Sequence, residues 1–235
     1  MTHLSDQFDK SAAVPAASSQ SLDAWEAAYL RFETPEQEIQ KFLRRLRALG
    51  AEAWPRDARI LEIFCGRGNG LRALERLGFK NLEGADLSAR LLAEYHGPAK
   101  CTECDCRKMP FAGGSKDVVI VQGGLHHLPN LPQSLDETLA EAKRVLANDG
   151  RMVIVEPWLT PFLSFVHFAC GMRPARRLWP KLDAMAAMIK HERNTYEQWL
   201  SQPDLIRRSV MRHFAPVRES VGWGKWNFVG KSLGS

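Results

Sequence analysis

The run Ile60-Leu61-Glu62-Ile63-Phe64 ends in Cys65-Gly66-Arg67-Gly68-Asn69-Gly70, and a helical pattern over Leu71–Leu77 follows. A strand that runs into a glycine turn and then a helix opens a parallel-sheet unit. Such sheets hold ligands outside the carboxyl ends of their strands. Gly66, Gly68 and Gly70 let the chain turn tightly without projecting a side chain at a ligand. Asp86 lies 20 residues beyond Gly66. That places it at the tip of the next strand, where one carboxylate can accept from both hydroxyls of a ribose.

Spacing selects among nucleotides. A dinucleotide fingerprint needs Gly-x-Gly-x-x-Gly, and Leu71 stands where the third glycine belongs. The Gly-Lys-Ser/Thr ending of a phosphate loop is also missing. Glu62, just before the loop, would repel a pyrophosphate and suits a ligand with an ammonium group. S-adenosylmethionine carries an amine, a sulfonium and a ribose but no phosphate, and the residues fit it better than NAD or ATP.

The 235 residues suit one domain with appendages, and 45% hydrophobic with 25% charged residues is ordinary for a globular protein. Residues 1–20, rich in Ala and Ser, lack the basic start and apolar core of a signal peptide and are read as a mobile tail. Five irregularly placed cysteines point to a reducing, cytoplasmic setting. The longest apolar stretch, Trp158–Met172, is interrupted by Pro161 and His167 and is shorter than the ~20 residues of a membrane span. Residues 171–235 carry a net +7, from 12 Lys and Arg against 5 Asp and Glu, while residues 1–170 carry −2. That basic part is either a solvated face or an attraction for an anionic substrate, nucleic acid or membrane.

Thr34-Pro35-Glu36-Gln37 reads as a capping box. A helix follows with Ile39, Phe42, Leu43, Leu46 and Leu49 on one stripe, and Arg44, Arg45 and Arg47 mostly facing away. A shorter helix precedes it near Asp23–Tyr29. Strands are expected at 60–64, 81–85, 99–103, 117–121 and 152–155, with helices at 71–77, 88–95 and 133–146 between them. That alternation predicts an α/β fold with a parallel sheet covered on both faces. A second capping box at Thr195-Tyr196-Glu197-Gln198 is read as starting a helix that is broken near Pro203. Two strands, 217–222 and 226–230, close the chain as an antiparallel hairpin. The domain reading is a tail (1–20), an N-terminal helical lid (21–50) and a sheet domain (51–235) with a helical insertion at 157–194 as substrate lid.

At this point the chain resembles a class I S-adenosylmethionine-dependent methyltransferase, and it looks most like the subgroup that methylates quinone precursors and other small molecules. Glu62–Gly68 matches the family's first motif, with Phe64 in place of the first glycine. Gly84-Ala85-Asp86-Leu87-Ser88 matches the second, which implies Asp86 on the ribose. Asp105-Cys106-Arg107-Lys108-Met109-Pro110-Phe111 is similar to the family's Asp-x-x-x-Leu-Pro-Phe. The resemblance implies Asp105 on the adenine amine, with the Cys106 backbone amide facing the ring. Asp117–Leu128 matches the fourth strand and its His-containing loop, Gln122 included. The implied fold is a Rossmann-like sheet of seven strands, mostly parallel, with an antiparallel C-terminal hairpin. The implied cofactor set is Glu62, Phe64, Gly66, Gly68, Asp86, Leu87, Asp105, Cys106 and Gln122.

Methyl transfer from a sulfonium needs alignment and dryness first, and a base only if the acceptor must lose a proton. The candidates beside the methyl are His127, His126 and Glu156. The histidines alternatively shape the pocket, and Glu156 alternatively binds a substrate amine or hydroxyl. Cys101, Cys104 and Cys106 lack the spacing of a zinc site, so no metal is expected. Gln122-Gly123-Gly124 replaces the Asn/Asp-Pro-Pro-aromatic loop of enzymes that methylate amino groups of bases, which disfavours nucleic acid. Trp158, Phe162, Phe165 and Phe168 are read as core or as lining of an apolar pocket, with Arg173, Arg176, Arg177 and Lys181 near an anionic group. The expectation is a methyltransferase acting on a small molecule, anionic or partly apolar, with oxygen the favoured acceptor atom and nitrogen and carbon left open. The alternatives are an RNA or lipid-surface substrate and a non-catalytic scaffold. Nothing in the sequence fixes the oligomeric state.

Overall fold

The computed structural model describes residues 19–233. The segment read as a mobile tail lies outside the described residues, apart from its last two, which open the first helix. Seven strands form one sheet: β1 Ile60–Ile63, β2 Leu82–Asp86, β3 Lys100–Glu103, β4 Lys116–Gln122, β5 Leu146–Pro157, β6 Phe214–Gly222 and β7 Lys225–Ser232. Their order is β3-β2-β1-β4-β5-β7-β6. β1 to β5 run parallel, and β7 lies antiparallel between β5 and β6. The reversal of order between β1 and β4 opens the crevice in which such sheets bind ligands.

Helices cover both faces. They are α1 Ser19–Phe32, α2 Pro35–Ala48, α3 Asn69–Arg76, α4 Ala89–Leu92, α5 Gln133–Val145, α6 Pro161–Gly171, α7 Arg173–Leu178, α8 Pro180–Ser201 and α9 Pro203–His213. The apolar run of β4 shows why. Val118 and Ile120 join Phe42, Leu46 and Leu71 on one face, while Val119 and Val121 join Leu135 and Leu139 on the other. A strand buried on both sides must be apolar throughout. Each such side chain contributes roughly 1.5–3 kcal/mol.

The capping box before α2 forms as read: Gln37 N–H donates to Thr34 Oγ1, and Gln37 Oε1 accepts from Thr34 N–H. The expected apolar stripe is buried from Ile39 to Leu49. The second expected box does not start a helix. α8 runs straight through Thr195, whose hydroxyl donates to the Glu192 carbonyl at 3.2 Å, a bond helices tolerate. Buried Tyr196, Trp199 and Leu200 hold that stretch down, with Trp199 Nε1 on the Pro157 carbonyl at 2.9 Å. The break at Pro203 is where it was expected. β5 begins six residues earlier than read, because Leu146 already pairs with Lys116 ahead of the Asn148-Asp149-Gly150 turn.

Two side-chain expectations are corrected. Arg45 turns inward, unlike exposed Arg44 and Arg47. Trp158 is buried against Trp226, but Phe162, Phe165 and Phe168 point into solvent, so they are neither core nor pocket lining. α6 turns Leu163, Ala169 and Cys170 inward instead.

Candidate cofactor cradle and active site

β1 delivers Glu62 to the carboxyl edge of the sheet, buried to 3% exposure. Its Oε1 accepts from the Gln122 amide at 3.2 Å, while Oε2 has no hydrogen-bond partner among the described residues. α3 begins against it, and a Cβ at Gly70 would overlap the carboxylate, so only glycine leaves the acid its place. Burial pushes the Glu62 carboxyl up to about 8, with the Gln122 bond opposing only in part. An acid held like this is a socket for a cation.

Gln122 also accepts from Arg45 at 3.3 Å, so a chain runs Arg45–Gln122–Glu62 across the head of the cleft. Burial lowers the Arg45 pKa, against the pull of Glu33, Glu38 and Glu156. Lys225, which opens β7, is partly buried. Its ammonium has no hydrogen-bond or ion-pair partner among the described residues. Burial and the nearby Arg45 bring it down to about 8. On the loop side, Asn69 at the start of α3 donates to Glu38 of α2 at 2.8 Å, which ties the N-terminal helices to the glycine turn.

Asp86 stands at the tip of β2. Its Oδ2 accepts from Gly66 N–H at 2.8 Å and its Oδ1 from Ser88 N–H at 2.9 Å. Each oxygen keeps a lone pair free for a ribose hydroxyl. Gly68, at φ +75°, lies under the Tyr95 ring with no room for a side chain. Phe64 adopts φ 55°, the left-handed region that glycine would occupy at no cost. Its ring leans on Gly124, where a Cβ would overlap it. The substitution of the first glycine is thus accommodated by a second glycine on the β4 loop. Leu87, beside Asp86, is 72% exposed.

Asp105 is engaged by a forked pair with Arg107, at 3.0 Å from Nε and 2.6 Å from Nη2, which holds its carboxyl below the usual range. The Cys106 thiol is turned into the core against Thr138 Oγ1 at 3.6 Å, and burial pushes it up to about 12. Only its backbone remains for a ligand.

The β5 end is built differently. Glu156 is fully buried. Its Oε1 accepts from Gly124 and Leu125 N–H, both at 2.8 Å, and its Oε2 bonds His126 Nδ1 at 2.7 Å. Burial opposes its ionisation, but the His126 bond and charge with those two amides outweigh it and lower its pKa. Burial likewise opposes charge on His126, yet Glu156 and Glu192 raise its pKa overall. With Nδ1 on Glu156, Nε2 is the nitrogen left for chemistry, 3.7 Å from Glu192 of α8. The His127 ring lies tilted against that of His126, centroids 4.1 Å apart, and is pushed down to about 4 by burial and by that neighbour. It is therefore neutral near neutral pH. The ligating atoms of His126, His127 and Glu192 lie within 4.8 Å of one another. Glu192 stands 3.7 Å from His126 Nε2 and 4.0 Å from His127 Nδ1, against the roughly 3.3 Å between donors on a tetrahedral zinc.

Every residue expected at the site lies at this edge of the sheet or on the loops beside it. Three that sequence reasoning missed, Arg45, Glu192 and Lys225, come from α2, α8 and β7. Only Arg45 left a signal, as a charge next to a buried stripe. The cleft fits S-adenosylmethionine by its own chemistry: an unpartnered buried carboxylate oxygen for an ammonium, a half-satisfied Asp86 for a ribose, and no cradle for phosphate. Glu62 and Asp86 would hold it from the two sides of the glycine turn.

The comparisons agree with this geometry. A family model described as "Methyltransferase domain" matches residues 61–154. The ubiquinone/menaquinone biosynthesis C-methyltransferase UbiE of Paracoccus denitrificans is 23% identical over 194 residues, covering 77% of this chain and 72% of its own. A highly reducing polyketide synthase of Glarea lozoyensis is 31% identical over 136 residues, which is 50% of this chain but only 5% of that much longer protein. Among solved structures, the PH0226 protein of Pyrococcus horikoshii superposes with a TM-score of 0.66 at 18% identity, over 89% of this chain and 98% of its own. The 1,6-didemethyltoxoflavin-N1-methyltransferase of Burkholderia thailandensis, solved with S-adenosylhomocysteine, gives 0.52 at 16% identity over 94% and 93%. Sequence motif, sheet order and cradle chemistry converge: residues 61–154 match a methyltransferase domain, and the chain has the fold of solved S-adenosylmethionine-dependent methyltransferases.

Proposed function

We propose that the enzyme methylates a small molecule after His126 removes a proton from the acceptor. The observation that carries this reading is the buried Glu156–His126 pair at the head of the cleft, with Nδ1 engaged at 2.7 Å and Nε2 turned away from Glu156. Bound S-adenosylmethionine supplies a methyl group already activated on a sulfonium. The chain's task is then to orient, dry and deprotonate. Glu62 would take the cofactor's ammonium, Asp86 its ribose, and Arg45, bridged to Glu62 through Gln122, its carboxylate. For Asp105 to reach the adenine amine it must share its carboxylate with Arg107. Glu156 fixes the imidazole tautomer and stabilises the imidazolium formed when Nε2 takes the acceptor's proton, an effect worth typically 10²–10⁴-fold. Neutral His127 packs beside it as a positioning residue.

The Paracoccus relative is named a C-methyltransferase, which supports an acidic carbon as the acceptor atom. Oxygen, favoured from sequence, is the second reading, since a hydroxyl of suitable acidity would use the same base. The helical insertion and α1–α2 serve as the substrate lid in this account. The five free cysteines support a reducing, cytoplasmic setting. Incubation of the enzyme with methyl-labelled cofactor and fractionated cell extract tests the reading. A labelled small product with a new carbon-bound methyl in its NMR spectrum supports it. Label found only in RNA or protein would refute it.

A further inference from the structure

We propose that α6, α7 and the β6–β7 turn form a docking surface for an anionic lipid bilayer. Along α6 the three phenylalanines fall on one side, at i, i+3 and i+6, and that side faces away from the protein. Phe165 and Phe168 are each 66% exposed and Phe162 is 45% exposed. Leu178 at 87% and Trp179 at 62% continue the surface through α7. The β6–β7 turn adds Trp223, 82% exposed, whose ring meets Phe162 edge-on at 5.2 Å, so helix and turn make one patch. Trp223 is held at φ 51°, a conformation costly for any side chain but glycine, and it spends that cost presenting an indole to solvent. Isolated exposed apolar residues are normal, but a contiguous group of this size marks an interaction surface.

Charge decides the partner. The 26 residues from Pro157 to Leu182 contain Arg173, Arg176, Arg177 and Lys181 and no Asp or Glu. Arg176 is paired with Asp183 at 2.7 Å, but Arg173 and Arg177 are exposed and have no carboxylate partner among the described residues. Aromatic rings with cations of one sign suit the interface of an anionic membrane, where indoles lie among the headgroups and basic side chains meet lipid phosphates. A protein partner of ordinary composition would leave those uncompensated cations against mixed charge. The helices lie on such a surface rather than crossing it, since no described helix is long and apolar enough to span. Behind α6 a cavity of about 540 Å³ is lined by Leu159, His167, Cys170, Ile189 and Tyr196. Tyr196 stands edge-on to His126 at 5.9 Å, so the patch adjoins the acceptor side of the site.

Sedimentation of the full-length protein with vesicles tests this, using phosphatidylcholine alone against phosphatidylcholine mixed with phosphatidylglycerol. The protein is expected to pellet with the mixed vesicles and to release as salt rises. The double variant F165S/F168S should bind roughly tenfold or more weakly, because two large apolar side chains lose their seat. R173Q/R177Q should weaken binding and flatten its salt dependence. All four side chains are exposed, so melting temperature and S-adenosylhomocysteine affinity should not change in either variant, which separates lost docking from lost fold. Failure to pellet with anionic vesicles, or pelleting that neither variant alters, would overturn the proposal. So would self-association in sedimentation velocity that F165S/F168S abolishes while vesicles remain unbound, since the patch would then belong to a second copy.

Discussion

Two carboxylates are buried at the carboxyl edge of this sheet, Glu62 ending β1 and Glu156 ending β5, and they are in opposite states. Glu156 has every oxygen engaged from within the protein, by two loop amides and an imidazole, and its pKa is lowered. Glu62 has one bond from a side-chain amide and one bare oxygen, and its pKa is raised to about 8. The difference separates an acid whose partners are built into the chain from one with an oxygen left unpartnered. A buried charge is retained when something pairs with it. For Glu156 that partner is in the chain. For Glu62 none stands among the described residues, and the proposed partner is the cofactor's ammonium.

Glu62→Gln should break the comparison most visibly. Losing the carboxylate proposed to meet the ligand's ammonium should weaken S-adenosylhomocysteine binding by roughly 100-fold or more in calorimetry. The same change should stabilise the unliganded protein. A carboxyl whose folded pKa lies near 8 rather than 4.5 contributes stability while protonated and loses it as pH rises through about 8. The melting temperature of the variant should therefore exceed that of wild type most at pH 8–9 and converge with it near pH 4. Equal melting curves across that range would contradict the unpaired state of Glu62.

Glu156→Gln should do the reverse. Removing one partner of a buried pair is expected to cost about 3–5 kcal/mol of stability. Turnover should fall by about 10²–10⁴-fold, with cofactor-product affinity nearly unchanged. A loss of affinity as large as that of Glu62→Gln would erase the division between the two ends of the sheet.

The first of these acids was legible in the sequence and the architecture around the second was not. Glu62, the glycine turn and Asp86 lie within one strand-turn-helix-strand unit, so their spacing along the chain reports their spacing in the fold. His126 and Glu156 were found as candidates, but not as a pair. Their meeting depends on the register that sets β4 beside β5, with Gln122 opposite Val155. Glu192, Arg45 and Lys225 reach the cleft from a helix that tertiary packing holds straight, from the less apolar side of α2, and from the antiparallel strand β7. Of these placements only that of Arg45 left a local signal, a charge next to the buried stripe. The exposed phenylalanines of α6 were misplaced for a related reason. Helical periodicity identifies an apolar side without saying whether protein or solvent meets it.

Smaller effects sharpen the contrast. The rate profile in kcat/KM should rise with pH through a value above 6.5, the ordinary imidazole figure, because His126 must be neutral to act and its pKa is raised. In Glu156→Gln that limb should move to lower pH, since the largest favourable interaction of the imidazolium is gone. A limb that stays in place would mean another group is titrating. Arg45→Met should weaken cofactor-product binding about tenfold, as expected for one charge-assisted contact, and leave saturated turnover close to wild type. Unchanged affinity would remove Arg45 from the cofactor site.

The most direct measurement is the proton balance of cofactor-product binding, by calorimetry at pH 7 in buffers of different ionisation enthalpy. With its pKa near 8, Glu62 is mostly protonated in the free protein and must ionise to pair with an ammonium. Close to one proton should be released per S-adenosylhomocysteine bound, and the release should disappear in a Glu62→Gln variant that still binds at higher ligand concentration. Binding of wild type with no proton release, or the same release from Glu62→Gln, would contradict the account.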